Sequence, residues 1–275
     1  MNGNKIAKLE EHARHIRINS LRAIHAAGSG HPGGSLSAAD ILTALYFDVM
    51  NIDPKHPGKK DRDKFVLSKG HAAPALYATL GERGYYDVED ILTLRKLGSI
   101  FQGHPNMNRV PGVEMSTGSL GQGFSAAVGM ATANMIDDNP GQIFVLTGDG
   151  ELQEGIIWEA AMSAAQRRLG NLIAIVDWNG LQIDGKVDDV KRVTPIDEKF
   201  ASFGWYTIEA NGHDMDDLLK SLKTARKIED RPVVIVAETH KGHGVSFMDD
   251  NAGWHGKAPD DKQFEQAMKE LGGVI

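Results

Sequence analysis

The apolar positions of the chain recur with a helical period in some stretches and crowd into short continuous runs in others. Residues 4–27 set their apolar side chains on one helical face up to Gly28, which predicts a long amphipathic first helix. Ser37 followed by Asp40 has the spacing of a capping box and predicts a second helix from there to about Met50, halted before Asp53-Pro54. Short aliphatic and β-branched runs predict strands over residues 65–68, 143–147, 172–177, 205–209 and 233–238. Helical spacing predicts helices over 73–83, 88–97, 123–136, 155–168, 214–227 and 261–271. The runs IFVLT and LIAIV are apolar at every position or nearly so, as strands buried on both faces are, and they alternate with helices. The fold class is therefore α/β: a doubly wound, mainly parallel sheet flanked by helices. In such sheets ligands bind beyond the carboxyl ends of the strands. No long linker or internal repeat divides the chain, so residues 1–275 are expected to form a single domain.

Composition narrows the function. Thirty Lys and Arg against 37 Asp and Glu leave a net charge of −7 with no basic block, which argues against nucleic acid as a partner. The absence of Cys removes disulfides, thiolate metal sites and cysteine nucleophiles, as expected of a cytoplasmic protein. No apolar run approaches the ~18 residues that span a bilayer, and the charged start has no signal-peptide core, so no membrane association is expected. Glycine is in excess, 31 of 275 residues, and several of the 11 His fall within the glycine-rich loops. Loops of that kind carry function more often than packing.

The densest chemistry follows the run IFVLT. Gly148-Asp149-Gly150 allows a tight turn and leaves a carboxylate at a strand's carboxyl end, where a hard cation binds well. An ordinary Asp-Gly turn has the same sequence. Thirty residues on, one strand-helix-strand crossover away, LIAIV is followed by Asp177, Trp178 and Asn179. A right-handed crossover sets the two carboxyl ends side by side, so Asp149 and Asn179 can share one cation carrying phosphate oxygens. An isolated Asx turn at Asn179 is the competing reading. The loop from Thr117 to Gly123 invites a phosphate-loop reading but lacks the Gly-Lys-Ser/Thr ending.

Gly148-Asp149-Gly150 with Asn179 resembles the thiamine diphosphate motif, with Trp178 where the first of its two usual Asn residues stands. Ser29-Gly30-His31-Pro32-Gly33-Gly34, Ser68-Lys69-Gly70-His71-Ala72, Gln102-Gly103-His104-Pro105, Thr117 to Gly123 and Trp254-His255-Gly256 are similar to transketolase segments and occur in transketolase order over nearly the whole chain. The resemblance covers the diphosphate-binding domain and implies the small, N-terminal subunit of a split transketolase. It implies thiamine diphosphate with Mg²⁺, or Ca²⁺ or Mn²⁺, held by Asp149, Asn179 and the carbonyl of Leu181. His71 and His255 are expected at the diphosphate, and His31 and His255 beside the reactive thiazolium carbon. His104 is expected on a hydroxyl of the donor sugar. Gly150 belongs to the cofactor turn, Gly118 and Leu120 line the aminopyrimidine and thiazole, and Ile183 packs on the thiazolium ring. For Leu120 and Ile183, simple core packing is the alternative.

Glu154 is expected to relay protons at a subunit contact, while Glu159 is either part of that contact or a solvated helix position. The implied reaction moves a two-carbon ketol unit from a ketose phosphate to an aldose phosphate. Its partner would be a C-terminal subunit carrying the pyrimidine-binding domain and the activating Glu, in an α₂β₂ heterotetramer. Two alternatives are a related ketol transferase with another sugar phosphate or a dihydroxyacetone-type substrate, and a non-catalytic cofactor-binding subunit. His25, His56 and His240 are read as structural or solvated. His243, where the family more often has Lys, is left without a role.

Overall fold

The computed structural model describes residues 3–273. Helix α1, Gly3–Ala27, ends where Gly28 takes φ +60 and returns its N–H to the His25 carbonyl. The chain re-enters helix at α2, Pro32–Ser37, with Pro as its first residue, a position where the missing N–H costs nothing. After Ala38 it continues as α3, Ala39–Ala44, and a π turn, Leu45–Val49. The expected capping box at Ser37 and Asp40 is thus corrected. Both side chains are buried and taken by distant partners, Ser37 by Asp177 and Asp40 by Arg17, and the helix starts at Pro32 instead.

The sheet contains β1, Lys64–Leu67; β2, Ile143–Gly148; β3, Leu172–Trp178; β6, Tyr206–Asn211; and β7, Val233–Glu238. A separate two-residue hairpin, β4, Leu181–Gln182, and β5, Gly185–Lys186, follows β3. The five strands run parallel in the order β1-β2-β3-β7-β6. Alternate residues of each strand serve opposite faces. Phe65, Phe144, Leu146, Ile173, Ile175 and Ile235 join a core with α1, α3, helix α4 (Ala73–Arg83) and α9 (Met215–Ala225). Val66, Val145, Ala174, Val176 and Val234 face a second core with α5 (Gln122–Ile136), α6 (Gly155–Gln166) and α8 (Ile196–Ser202). The sheet is covered on both sides, as continuously apolar parallel strands require.

Further elements are α7, Val187–Lys191, and α10, Asp261–Glu270, the latter with a complete capping box at Asp260 and Gln263. The expected helix over 88–97 is also corrected. Only a 3₁₀ segment, Val88–Thr93, forms, capped by Asp87. Leu94 is extended, Arg95 is left-handed at φ +59 and gives its N–H to the Phe101 carbonyl, and Leu97 lies fully in solvent. Among the described residues, no helix is long and apolar enough to cross a membrane.

Candidate functional site

The register fixes the floor of the site. Gly148 stands opposite Asp177, and Asp177 opposite Ala237, so β2, β3 and β7 end together and their loops open on one side of the sheet. Asp149, the first residue beyond β2, is buried, and its two carboxylate oxygens accept the N–H groups of Gly150 at 2.7 Å and Gly180 at 2.6 Å. Burial, reinforced by the charge of Asp177, pushes its pKa up to about 6. Asn179 turns its amide oxygen to the N–H of Leu181 at 3.2 Å.

Two buried carboxylates knit the surrounding loops. Asp177 accepts hydrogen bonds from Ser37 on α2 at 2.6 Å, from Lys69 after β1 and from Thr239 after β7. Lys69 also donates to the Gly34 carbonyl at 2.8 Å. Burial alone would raise the Asp177 pKa; Lys69 and the hydroxyl donors hold it below the usual carboxylate range. Glu151 accepts from Ser68 Oγ at 2.5 Å, Gly121 N–H at 2.7 Å and Gly148 N–H at 3.1 Å. Here burial wins, and the pKa is raised.

Above this floor lies a cavity of about 300 Å³ whose lining includes His31, His71, Asp149, Asn179, Lys241 and His255. His31, His71 and His255 form a triangle, with ring centroids 5.2, 5.5 and 5.1 Å apart. Burial first, and neighbouring cations second, depress their pKa values: His31 to about 4, His255 to about 3, and His71 well below 6.5. All three are neutral at pH 7. Lys241 is buried beside them, 3.4 Å from His255 Nδ1, and its pKa falls to about 8. Gly33 lies so close to Lys241 that an added Cβ would sit 2.8 Å from Lys241 Cγ and 3.0 Å from the Trp254 carbonyl oxygen.

The donor set suits a diphosphate with a hard cation. Neutral imidazoles and a buried ammonium offer N–H groups to phosphate oxygens, and Asp149 and Asn179 offer hard oxygen ligands. His31 Nδ1 is buried with no hydrogen-bond partner in the protein, as expected for a group whose partner is a ligand.

Of the residues singled out from sequence, His31, His71, Gly118, Leu120, Asp149, Gly150, Glu154, Asn179, Leu181, Ile183 and His255 all line this cavity. His104 does not. It packs behind Gly118, whose φ of +156 and missing side chain admit the ring; an added Cβ would meet it at 3.1 Å. Ile183 is 69% exposed at the hairpin tip, which removes the core-packing alternative for it. Glu154 is exposed at the N-cap of α6, and Glu159 faces outward in the groove between α5 and α6.

His25 stacks on Phe264, His56 pairs with Asp53, and His240 pairs with Asp250, all outside the cavity. His243 stacks on His213 at 3.6 Å, away from the site. Sequence reasoning missed Lys69, Lys241, Asp177 and Glu151. Lys69 and Asp177 lie inside the motif segments that point to the site; Glu151 and Lys241 have no local signal.

A family model described as "Transketolase, thiamine diphosphate binding domain" matches residues 9–274. The chain is 44% identical over 263 residues to the 6-deoxy-6-sulfo-D-fructose transketolase subunit SqwG of Clostridium sp., covering 96% of both proteins. It is 41% identical to one of the subunits of apulose-4-phosphate transketolase from Phocaeicola vulgatus, covering 97% of this chain and 95% of that one. Human transketolase is 39% identical over 97% of this chain, which spans 42% of the human protein. The crystal structure of Campylobacter jejuni transketolase superposes with a TM-score of 0.92 at 35% identity, over 99% of this chain and 43% of that one. The sheet order, the cavity at the carboxyl ends and these matches agree: the chain belongs to the family of transketolase thiamine diphosphate-binding domains.

Proposed function

We propose that this chain is one subunit of a two-chain transketolase, moving a two-carbon ketol unit from a ketose carrying a terminal anion to an aldose phosphate. One observation carries the reading. The chain matches two transketolase subunits end to end, while it spans only about two fifths of the single-chain enzymes. The names of those two subunits carry a sulfosugar and a sugar phosphate, both sugars with an anionic group, and this supports an anionic ketose as donor. The partner is a chain carrying the pyrimidine-binding domain, the assembly α₂β₂, and the compartment the cytoplasm.

Bound in the cavity, thiamine diphosphate supplies the electron sink for breaking and making a carbon–carbon bond. Asp149, Asn179 and the Leu181 carbonyl hold Mg²⁺. His71 and Lys241 donate to the diphosphate, countering its charge in an acidic chain. Gly118 and Leu120 border the rings of the cofactor, and Ile183 packs against it from the exposed hairpin. His31 and His255, neutral at pH 7, can each accept a proton at a ring nitrogen and return it. His104, packed against Gly118 outside the cavity lining, binds a hydroxyl of the donor. Glu154, at the rim, passes protons toward a neighbouring protomer.

Co-expression with a pyrimidine-domain chain tests the proposal. The expected result is a stable heteromer with thiamine diphosphate-dependent ketol transfer that neither chain shows alone. Full turnover by the purified 275-residue chain would overturn it.

A further inference from the structure

Away from the cavity, three groups of imidazoles and carboxylates come within mutual metal-ligating reach among the described residues. At Asp40, His213 and His243 a cation would have to displace the buried Arg17 guanidinium from Asp40, and both nitrogens of His213 are taken, Nδ1 by Asp40 and Nε2 by the His240 N–H. His240, Asp249 and Asp250 form an exposed loop cluster with a single imidazole. His12, His15 and Glu82 are different.

His12 and His15 are three residues apart on α1 and so share a face, while Glu82 comes from α4, packed alongside. His12 Nδ1 and His15 Nδ1 lie 2.9 and 3.0 Å from the same oxygen, Glu82 Oε1. A tetrahedral zinc ion with ligands at ~2.0–2.2 Å sets neighbouring ligand atoms roughly 3.3–3.5 Å apart, so these two edges need open by only a few tenths of an ångström, and all three ligand atoms already lie within 4.8 Å of one another. The other nitrogen of His15 is 3.0 Å from Glu11 Oε1, and Glu11 is itself gripped by Arg14 at 2.5 and 2.8 Å. A carboxylate on the far nitrogen is the usual way a metal-binding imidazole is aimed. His12 is held by stacking on Phe47 at 4.1 Å. The three side chains are partly exposed, which leaves a path for the ion and a place for water as fourth ligand.

We propose that His12, His15 and Glu82 form a binding site for Zn²⁺ or a similar nitrogen-preferring divalent cation, bracing α1 against α4, with Glu11 orienting His15. Two nitrogens and one oxygen select zinc over magnesium, so this site is chemically distinct from the oxygen ligands near the cavity.

The test is calorimetric titration of Zn²⁺ into the tag-free 275-residue chain carrying Asp149→Ala, which removes the oxygen site near the cavity, with the His12/His15 double variant as the control for every other cluster. One ion per chain is expected, bound at least ~100-fold more tightly than Mg²⁺, and Co²⁺ in its place should give the visible d–d absorption of a tetrahedral site. Glu11→Gln should weaken zinc about tenfold. The double variant His12→Gln/His15→Gln should lose the site while its metal-free melting curve confirms that it is folded. Equal zinc affinity in the double variant, or no preference for zinc over magnesium in the parent, would overturn the assignment.

Discussion

Lys69 and Asp177 form an ion pair in which both side chains are shut off from solvent, and the pair joins the loop after β1 to the end of β3. Removing one member of such a pair leaves an uncompensated buried charge. Asp177→Asn should destabilise the fold by about 3 to 5 kcal/mol, read by denaturant unfolding. A loss below about 1 kcal/mol would show that the pair holds nothing together.

Glu151 is acceptor-only in its contacts with Ser68, Gly121 and Gly148. In Glu151→Gln the amide NH₂ must face an N–H or O–H donor, leaving a buried group unsatisfied at about 1 to 3 kcal/mol. Because the Gly148 N–H begins the Asp149 turn, cofactor affinity should fall together with stability. Calorimetry and chemical denaturation on the same variant decide this, and a change in neither would remove Glu151 from the site's support.

Asp149→Ala should weaken thiamine diphosphate binding in the assembled enzyme by more than ~100-fold, since on the proposed assignment a ligating oxygen and its charge are both lost. Unchanged affinity by calorimetry would dismiss Asp149 as a metal ligand.

His104 and His71 should separate kinetically. His104→Ala should raise the donor KM or lower kcat with cofactor affinity nearly intact, and His71→Ala should weaken cofactor binding first. Matching profiles for the two variants would refute the assigned roles.

The imidazole triangle also sets an acid limit on the cofactor-free chain. Folded His31 and His255 bind fewer protons than their unfolded forms between pH 6.5 and about 3 to 4. Their contribution is therefore complete above pH 6.5 and is lost as the pH falls toward that range. Asp149 acts in the opposite sense: with its pKa raised to about 6 from 3.8, it costs stability above pH 6 and less as the pH falls. Replacing His31 and His255 by Gln should flatten the fall in stability below pH 6.5. An identical slope in parent and variant would show that these histidines do not govern it.

The sequence made the sheet legible because IFVLT and LIAIV are buried on both faces, and burial of that kind leaves a local mark. The cavity lining was legible because its residues lie in short glycine-rich segments that resemble transketolase motifs, and the resemblance supplied what composition could not. Ser37 misled because its spacing fits a cap, whereas its hydroxyl serves Asp177, 140 positions away. Residues 88–97 misled because helical spacing says nothing of the left-handed turn at Arg95. The hairpin at 181–186 has strands of two residues, too short for any period to register. Glu151 was passed over because its partners Ser68 and Gly121 are 83 and 30 positions distant.

The contact of Gly118 with the His104 ring ties the cavity wall to a side chain outside the cavity lining. Gly118 forms part of the cavity wall, and the His104 ring rests against it. A Cβ at position 118 would meet that ring at 3.1 Å and force it to give by a few tenths of an ångström. A substitution at position 118 therefore reaches the cavity wall and the His104 ring at once, whereas one at Arg95, whose charge bears on His104, leaves the wall intact.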